Sequence, residues 1–287
     1  MIPNQQQNPL KKFFRQPKIY LRLPSHGRWY PPGSLTMPES GELPVYAMTA
    51  KDEITMKTPD ALINGQATVD VIQSCIPDIK NAWMVPSIDI DAILVAIRLA
   101  TYGEKLAVTG RVPLVDLERD YEVDLRTVLG DLLSNEFESV CLFGNNELAV
   151  HLRPLNYKEF TANALKTFEE QKVLRIVNDE NISDEQKLEA FNKSFKKLTE
   201  MTVTMITSSV EKIETNEDSV NNPKFIKEFI ENADKEFYQG IADHLEKERA
   251  KFNLKPITVQ SLPQDIEEGA PETFEINISF DQSNFFA

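Results

Sequence analysis

The chain has 287 residues, of which 41% are hydrophobic, and this is enough for one large domain or two small ones. Its formal net charge of −14 argues against a nucleic-acid partner, because contacts to phosphates need clustered Lys and Arg. The basic run KKFFRQPK at 11–18 is short and typical of a solvated arm. No segment approaches ~18 consecutive apolar residues, so we expect no membrane partner.

The cysteine content and the N-terminal residues indicate a cytoplasmic protein. Cys75 and Cys141 are far apart in apolar surroundings, which favours two buried thiols in a reducing compartment. Residues 1–18 are rich in Gln, Asn and Pro and lack an apolar run, so they predict a flexible arm and no secretory signal. We therefore expect a soluble protein that stays in the cytoplasm where it is made.

Residues 19–155 are predicted to form a mixed α/β domain. Alternating side chains indicate a strand over Ile19–Leu23 and another over Leu43–Ala47. Thr49 follows, with Asp52 three residues later, and this spacing is that of a capping box at the start of a helix.

Two further helices are expected before residue 104. The first covers 67–76, and the second carries apolar residues at helical spacing between a Ser87 cap and a Gly103 stop. Asp89 and Asp91 near the start of that second helix are explained by the positive helix end, without catalysis.

From Lys105 to Pro154 the pattern changes to short β-like runs. They are KLAVTGRV, YEVDLRTVL, FESVCLF and ELAVHLRPL. Gly144, Asn145 and Asn146 separate the last two runs and favour a hairpin. We expect a small antiparallel sheet here.

Residues 156–254 are predicted to form a helical domain, so the fold class would be α+β with a long helical second half. The long helix that begins near Ser183 is expected to continue through the Thr-rich stretch TVTMITSSVEKIET, residues 202–215. The apolar face Leu188–Met205 suits either an intramolecular core or a homo-oligomer, and both interpretations stay open. Three capping residues are expected to open the helices: Asn156, Ser183 and Asn222.

Residues 255–287 are predicted to be a Pro-rich linker, a strand that returns to a sheet, and a tail. Phe274 to Phe280 alternate strictly with polar residues, as in a half-buried strand. Phe285 and Phe286 lie next to the last residue, Ala287, in a region where polar residues are usual. We expect these two rings to bind a groove on a partner protein or to close this chain's own core.

The stretch LRLPSHGRWYPPGS, residues 21–34, suits either a catalytic loop or a rigid corner. His26 could act as a general base only with a chemical partner, and a hydrolase site would need His151 and scattered acids nearby. The sequence lacks a phosphate loop, a nucleophile elbow and a zinc helix motif, so we predict no enzyme, no cofactor and no metal. The interpretation as a corner leaves Trp29 and Tyr30 to pack or to bind a partner.

Four segments in this order resemble one protein family. They are PSHGRWYPPGS, MTAKDE, DIDAILVAIRLATYG and the terminal FDQSNFF. Together they are similar to the baseplate hub assembly proteins of T-even-type contractile-tailed phages. The resemblance implies a non-enzymatic protein that binds hub components as an assembly chaperone in the host cytoplasm. A permanent structural subunit of the virion baseplate is the alternative.

The same resemblance implies a difference in metal content. Relatives place Cys-x-x-Cys pairs, suited to structural zinc, in stretches that correspond here to GRVPLVDLE (110–118) and VQSLPQDIEEG (259–269). Neither stretch contains cysteine in this chain, so no zinc site is predicted. We expect packing alone to order the two stretches.

Overall fold

The computed structural model describes residues 10, 14–57, 65–115, 117–144, 147–162 and 183–278. The strands are β1 (Pro17–Leu21), β2 (Leu43–Tyr46), β3 (Lys105–Arg111), β4 (Glu118–Asp124), β5 (Val140–Phe143), β6 (Leu148–Leu152), β7 (Val210–Thr215), β8 (Ser219–Val220), β9 (Ile257–Gln260) and β10 (Thr273–Ile276). The α-helices are α1 (Ala50–Met56), α2 (Gln66–Cys75), α3 (Ser87–Tyr102), α4 (Leu125–Leu133), α5 (Asp184–Ser209), α6 (Pro223–Asn232), α7 (Lys235–Ala250) and α8 (Pro263–Glu267). Residues 157–162 are also helical.

Helix α3 is the centre of the N-terminal part of the fold. Most of its residues are buried, and β1, β2, α2 and α4 pack around it in one hydrophobic cluster. Gly103 ends the helix at φ 88°, which confirms the predicted stop. The predicted cap is wrong by one residue, because Pro86 is the N-cap and the Ser87 N–H donates to Leu155 O at 2.8 Å.

Local capping chemistry sets the start of α1 and of α4. The predicted box is confirmed: Thr49 N donates to Asp52 Oδ2 at 2.8 Å, and Asp52 N donates to Thr49 Oγ1 at 3.2 Å. The strand expected over YEVDLRTVL is wrong beyond Asp124. The carboxylate of Asp124 accepts from Arg126 N at 2.8 Å and so starts helix α4.

The predicted long helical second half is wrong. Helix α5 ends at Ser209, and Val210–Thr215 then forms a strand that pairs with β6 in an antiparallel sheet of order β5-β6-β7-β8. Val210 and Ile213 are buried, and their β-branched side chains suit a strand that covers a core. The described ranges therefore mix helices with several small antiparallel sheets.

The C-terminal strand pairs with β9 in a two-stranded antiparallel sheet, over Thr273–Ile276. The prediction of a strand that continues to Phe280 is wrong for Asn277 and Ile278, which follow the strand without belonging to it, and residues 279–280 lie outside the described residues. The domain divisions at 18, 155 and 254 stay predictions. None of the described helices is long and apolar enough to cross a membrane.

The stretches 110–118 and 259–269 contact each other in this structure. Val112, from the first, shares a buried cluster with Val259 from the second and with Ala270, which directly follows it. An ion pair joins the same regions, since Arg119 Nη2 lies 2.8 Å from Asp265 Oδ1 and its Nε lies 3.3 Å from Oδ2. Asp265 is buried, and the Arg119 guanidinium lowers the pKa of its carboxyl. The expectation of packing alone is therefore incomplete, because a two-pronged ion pair also joins the described residues of these regions.

Gly110 allows hairpin β3–β4 to approach β10 closely. A Cβ atom at this position would lie 2.5 Å from Ile276 Cγ2, well inside van der Waals contact. Gly110→Val is therefore expected to lower the free energy of unfolding by about 1–3 kcal/mol, the usual cost of overpacking. Urea denaturation measures this change. Gly130→Val on helix α4 is the control, because a Cβ at Gly130 would meet no other atom. An equal loss of stability in both variants would contradict the argument from close approach.

Candidate functional site

The opening loop, residues 21–34, is a chain of tight turns. His26 N donates to Leu23 O at 2.9 Å, and Arg28 N donates to Ser25 O at 3.0 Å. His26 and Trp29 have φ angles of 54° and 65°, which non-glycine residues adopt rarely. A backbone held in this conformation must be fixed by its surroundings.

The buried carboxylate of Asp89 on α3 fixes the loop. Its Oδ1 accepts from Ser25 N at 2.8 Å, and its Oδ2 accepts from Ser25 Oγ at 2.6 Å and from Tyr30 OH at 2.9 Å. Asp89 is 0% exposed. The helix end that the sequence suggested as the reason for this acid is only part of the explanation, because three donors from the loop converge on it.

Burial dominates the electrostatics of this anchor. It raises the pKa of the Asp89 carboxyl to about 6, although the three hydrogen bonds favour the charged form. It also raises the pKa of Tyr30 well above the ordinary value, and the neighbouring Asp89 charge adds to that shift. Both carboxylate oxygens are occupied by protein donors and shielded from solvent. The anchor can hold the loop, but it offers no free oxygen to a substrate.

The aromatic residues of the loop pack against other residues of the chain, and part of their surface stays exposed to solvent. Trp29 meets Phe137 edge to face at a centroid distance of 5.3 Å, and the Arg28 guanidinium lies 4.4 Å from the Trp29 ring centroid. Trp29 and Tyr30 are half-buried. The predicted roles of Trp29 and Tyr30 in partner binding stay predictions. Phe285 and Phe286 lie outside the described residues.

The three histidines occupy three different settings. His26 is exposed on the opening loop. His151 Nε2 lies 2.7 Å from Glu214 Oε2 within the four-stranded sheet, and Lys212 Nζ contacts the other oxygen of that carboxylate. His244 Nε2 lies 2.8 Å from Glu138 O. Among the described residues, no group of three or more His, Cys, Asp or Glu is placed to hold a metal ion.

A row of aromatic rings that was not predicted from the sequence runs from the sheet to the surface of α6. Phe143 and Phe237 have centroids 4.5 Å apart, and Phe237 meets Phe229 edge to face at 5.0 Å. Phe229 is 40% exposed, and Phe225, one turn earlier, is 60% exposed. The spacing of Phe225 and Phe229 beside the buried Ile226 and Ile230 was the available signal. We call Phe225 and Phe229 the aromatic edge.

The comparisons with known proteins identify a family. A family model described as T4 bacteriophage base plate protein matches residues 34–261, well over half of the chain. Neither the curated proteins nor the solved structures include a match. The matched region contains the end of the opening loop, helix α3 and the aromatic edge. The chain therefore belongs to the T4 bacteriophage base plate protein family.

Proposed function

We propose that this chain is a non-enzymatic assembly chaperone that binds baseplate hub components in the host cytoplasm. The family match over residues 34–261 carries this proposal, because it identifies the chain as a baseplate protein. The Asp89 anchor supports the non-enzymatic part. Its oxygens are taken by Ser25 and Tyr30, so this buried carboxylate, whose pKa burial raises to about 6, is used for structure.

The aromatic edge supports the binding of a partner. Exposed aromatic side chains in a row are unusual on a free surface and are enriched at the centres of protein interfaces. Acidic residues Glu217, Asp234 and Glu236 surround the nearby cavity of about 810 Å³. The opening-loop rings Trp29 and Tyr30 and the terminal Phe285 and Phe286 are proposed as further contacts to hub or tail proteins.

Quantitative mass spectrometry tests whether the protein leaves the particle. Purified particles and the crude lysate of a phage that encodes this chain are compared for its peptides. Abundance in the lysate together with absence from particles supports the chaperone. Peptides at a fixed stoichiometry in the particles would replace it with a permanent structural subunit, and host-cell complementation of a deletion mutant shows whether assembly needs the chain at all.

A surface substitution tests the aromatic edge within the same assay. Phe225→Ser is expected to lower the yield of complete baseplates, since it removes an exposed ring from the interface. Tyr20→Ser is the matched control, because Tyr20 is exposed to a similar degree on β1. Equal yields from both variants would remove the aromatic edge from the binding surface.

A further inference from the structure

A groove with a volume of about 490 Å³ separates strand β4 from strand β9. It is lined by Tyr121–Asp124 of β4 and Pro256–Gln260 at β9, with Thr127, Val128 and Asp131 of α4 beside them. We call it the edge groove. Consecutive side chains of a strand point to opposite faces, so a cavity lined by four or five consecutive residues lies along the strand's edge.

The hydrogen bonds of the two hairpins show which edge faces the groove. Ser261 N donates to Glu272 O at 2.9 Å, and pairs alternate along an antiparallel ladder. Ile257 and Val259 therefore bond across to β10, whereas the backbone N–H and C=O of Thr258 point away from it. The edge of β9 that faces away from β10 therefore faces the groove.

The same alternation applies to β4. Leu125 N donates to Glu104 O at 2.8 Å, so Val123 and Tyr121 direct their backbone groups to β3. The backbone groups of Glu122 point away from β3, toward the other edge. In the described ranges neither of these outer edges has a strand partner. Two strand edges with free donors and acceptors therefore border one groove, which is the requirement for adding a strand.

The charge of the lining defines the chemistry of the added strand. The edge groove is lined by the carboxylates of Glu122, Asp124 and Asp131 and by no Lys or Arg. Because Lys105 Nζ lies 2.6 Å from Glu122 Oε1, the net negative charge of the groove comes from Asp124 and Asp131. A basic segment complements this charge. The chain's own last residues, 279–287, contain Asp281 and no basic residue, so they lack that complementarity.

We propose that the edge groove receives an extended, basic segment of another baseplate protein, which adds as a strand beside β4 and β9. The identity of that partner as a baseplate protein rests on the proposed function. Backbone hydrogen bonds to Glu122 and Thr258 supply affinity, and the acidic lining selects Lys or Arg in the segment.

Peptide binding to the full chain tests the inference. The probe is a fluorescent Lys-Val-Lys-Val-Lys peptide, and the comparison peptide is Glu-Val-Glu-Val-Glu, both measured by anisotropy at low salt. We expect the basic peptide to bind at least about tenfold more tightly than the acidic one. Equal affinities, or no binding of either peptide, would overturn the proposal.

Two proline variants on the same hairpin locate the site. Thr258→Pro removes a backbone N–H that faces the groove, and it keeps the ladder to β10. Thr273→Pro is the matched control, because the backbone of Thr273 points away from β9 on the opposite edge. We expect Thr258→Pro to weaken the binding of the basic peptide about tenfold, whereas Thr273→Pro should change its affinity by no more than about twofold. The Tm of each variant is measured to check that it folds. Equal affinities of the basic peptide for these two variants would show that it does not bind along the edge of β9.

Two further outcomes would assign the edge groove to another occupant and overturn the proposal. One is a dimer of the chain, measured by light scattering, that Thr258→Pro dissociates. The other is binding of the basic peptide only after residues 279–287 have been removed, which would show that these residues occupy the groove. The peptide assay does not use phage, so its failure and the failure of the chaperone function in the mass spectrometry test are distinguishable.

Discussion

Asp89→Ala is expected to lower the free energy of unfolding by about 3–5 kcal/mol, the largest effect of any single substitution considered for this chain. The carboxylate is fully buried and accepts three hydrogen bonds from Ser25 and Tyr30. Its removal leaves buried donors without an acceptor and leaves a cavity under the opening loop. The positive φ angles of His26 and Trp29 would then lose the contact that holds them.

Urea denaturation at pH 7 measures this change, with Asp70→Ala as the control. Asp70 is exposed on α2, so its substitution is expected to change stability by no more than about 0.5 kcal/mol. Tyr30→Phe removes only one donor and is expected to cost about 1 kcal/mol. A loss below about 1 kcal/mol for Asp89→Ala would contradict its role as the anchor of the loop.

The contribution of Asp89 to stability is expected to fall as the pH rises from 4 to 6. Burial raises its pKa from an ordinary 3.8 to about 6, so in this window the folded chain binds a proton that the unfolded chain has released. Stability decreases with pH wherever the folded state binds more protons, and two pKa units correspond to about 3 kcal/mol. Asp91, which accepts from Leu254 N at 3.3 Å, has a similarly raised pKa of about 6.

A comparison with Asp89→Asn isolates the titration, because the amide keeps an acceptor oxygen and does not ionise. The wild type minus variant difference in unfolding free energy is measured at pH 4, 5, 6 and 7. It is expected to decrease by about 2 kcal/mol across this range, because part of the full effect lies below pH 4. A difference that stays constant or increases with pH would show that the carboxyl titrates near its ordinary value.

The sequence predicted the features that depend on neighbours along the chain. Thr49 and Asp52 formed the expected box because a capping box needs residues only three apart. Helix α3 and its Gly103 stop followed from apolar spacing in the same way. Asp124 is a typical N-cap residue and could have predicted the start of α4. The strand predicted before it was instead continued past this residue.

The features that were not predicted from the sequence depend on contacts between distant parts of the chain. The donors to Asp89 come from Ser25 and Tyr30, about sixty residues earlier in the chain, and no local pattern encodes such a meeting. The stretch 202–215 continues a helical spacing, yet pairing with β6 turns its second half into a strand, since tertiary context overrides propensity. The edge groove depends on two hairpins that are more than a hundred residues apart, so only the folded chain brings it together.

The four-stranded sheet joins β6 directly to β7, although residues 153–209 lie between them in the chain. The entropy of closing such a connection rises only with the logarithm of its length, so doubling it would cost about 0.6 kcal/mol. Val210 and Ile213 face the same core because the pairing with β6 shifts between Lys212 and Val210. A slip of one residue in β7, in contrast, would turn both side chains from the core to solvent. Insertions and deletions between relatives should therefore accumulate in this connection, while the spacing within β7 stays fixed.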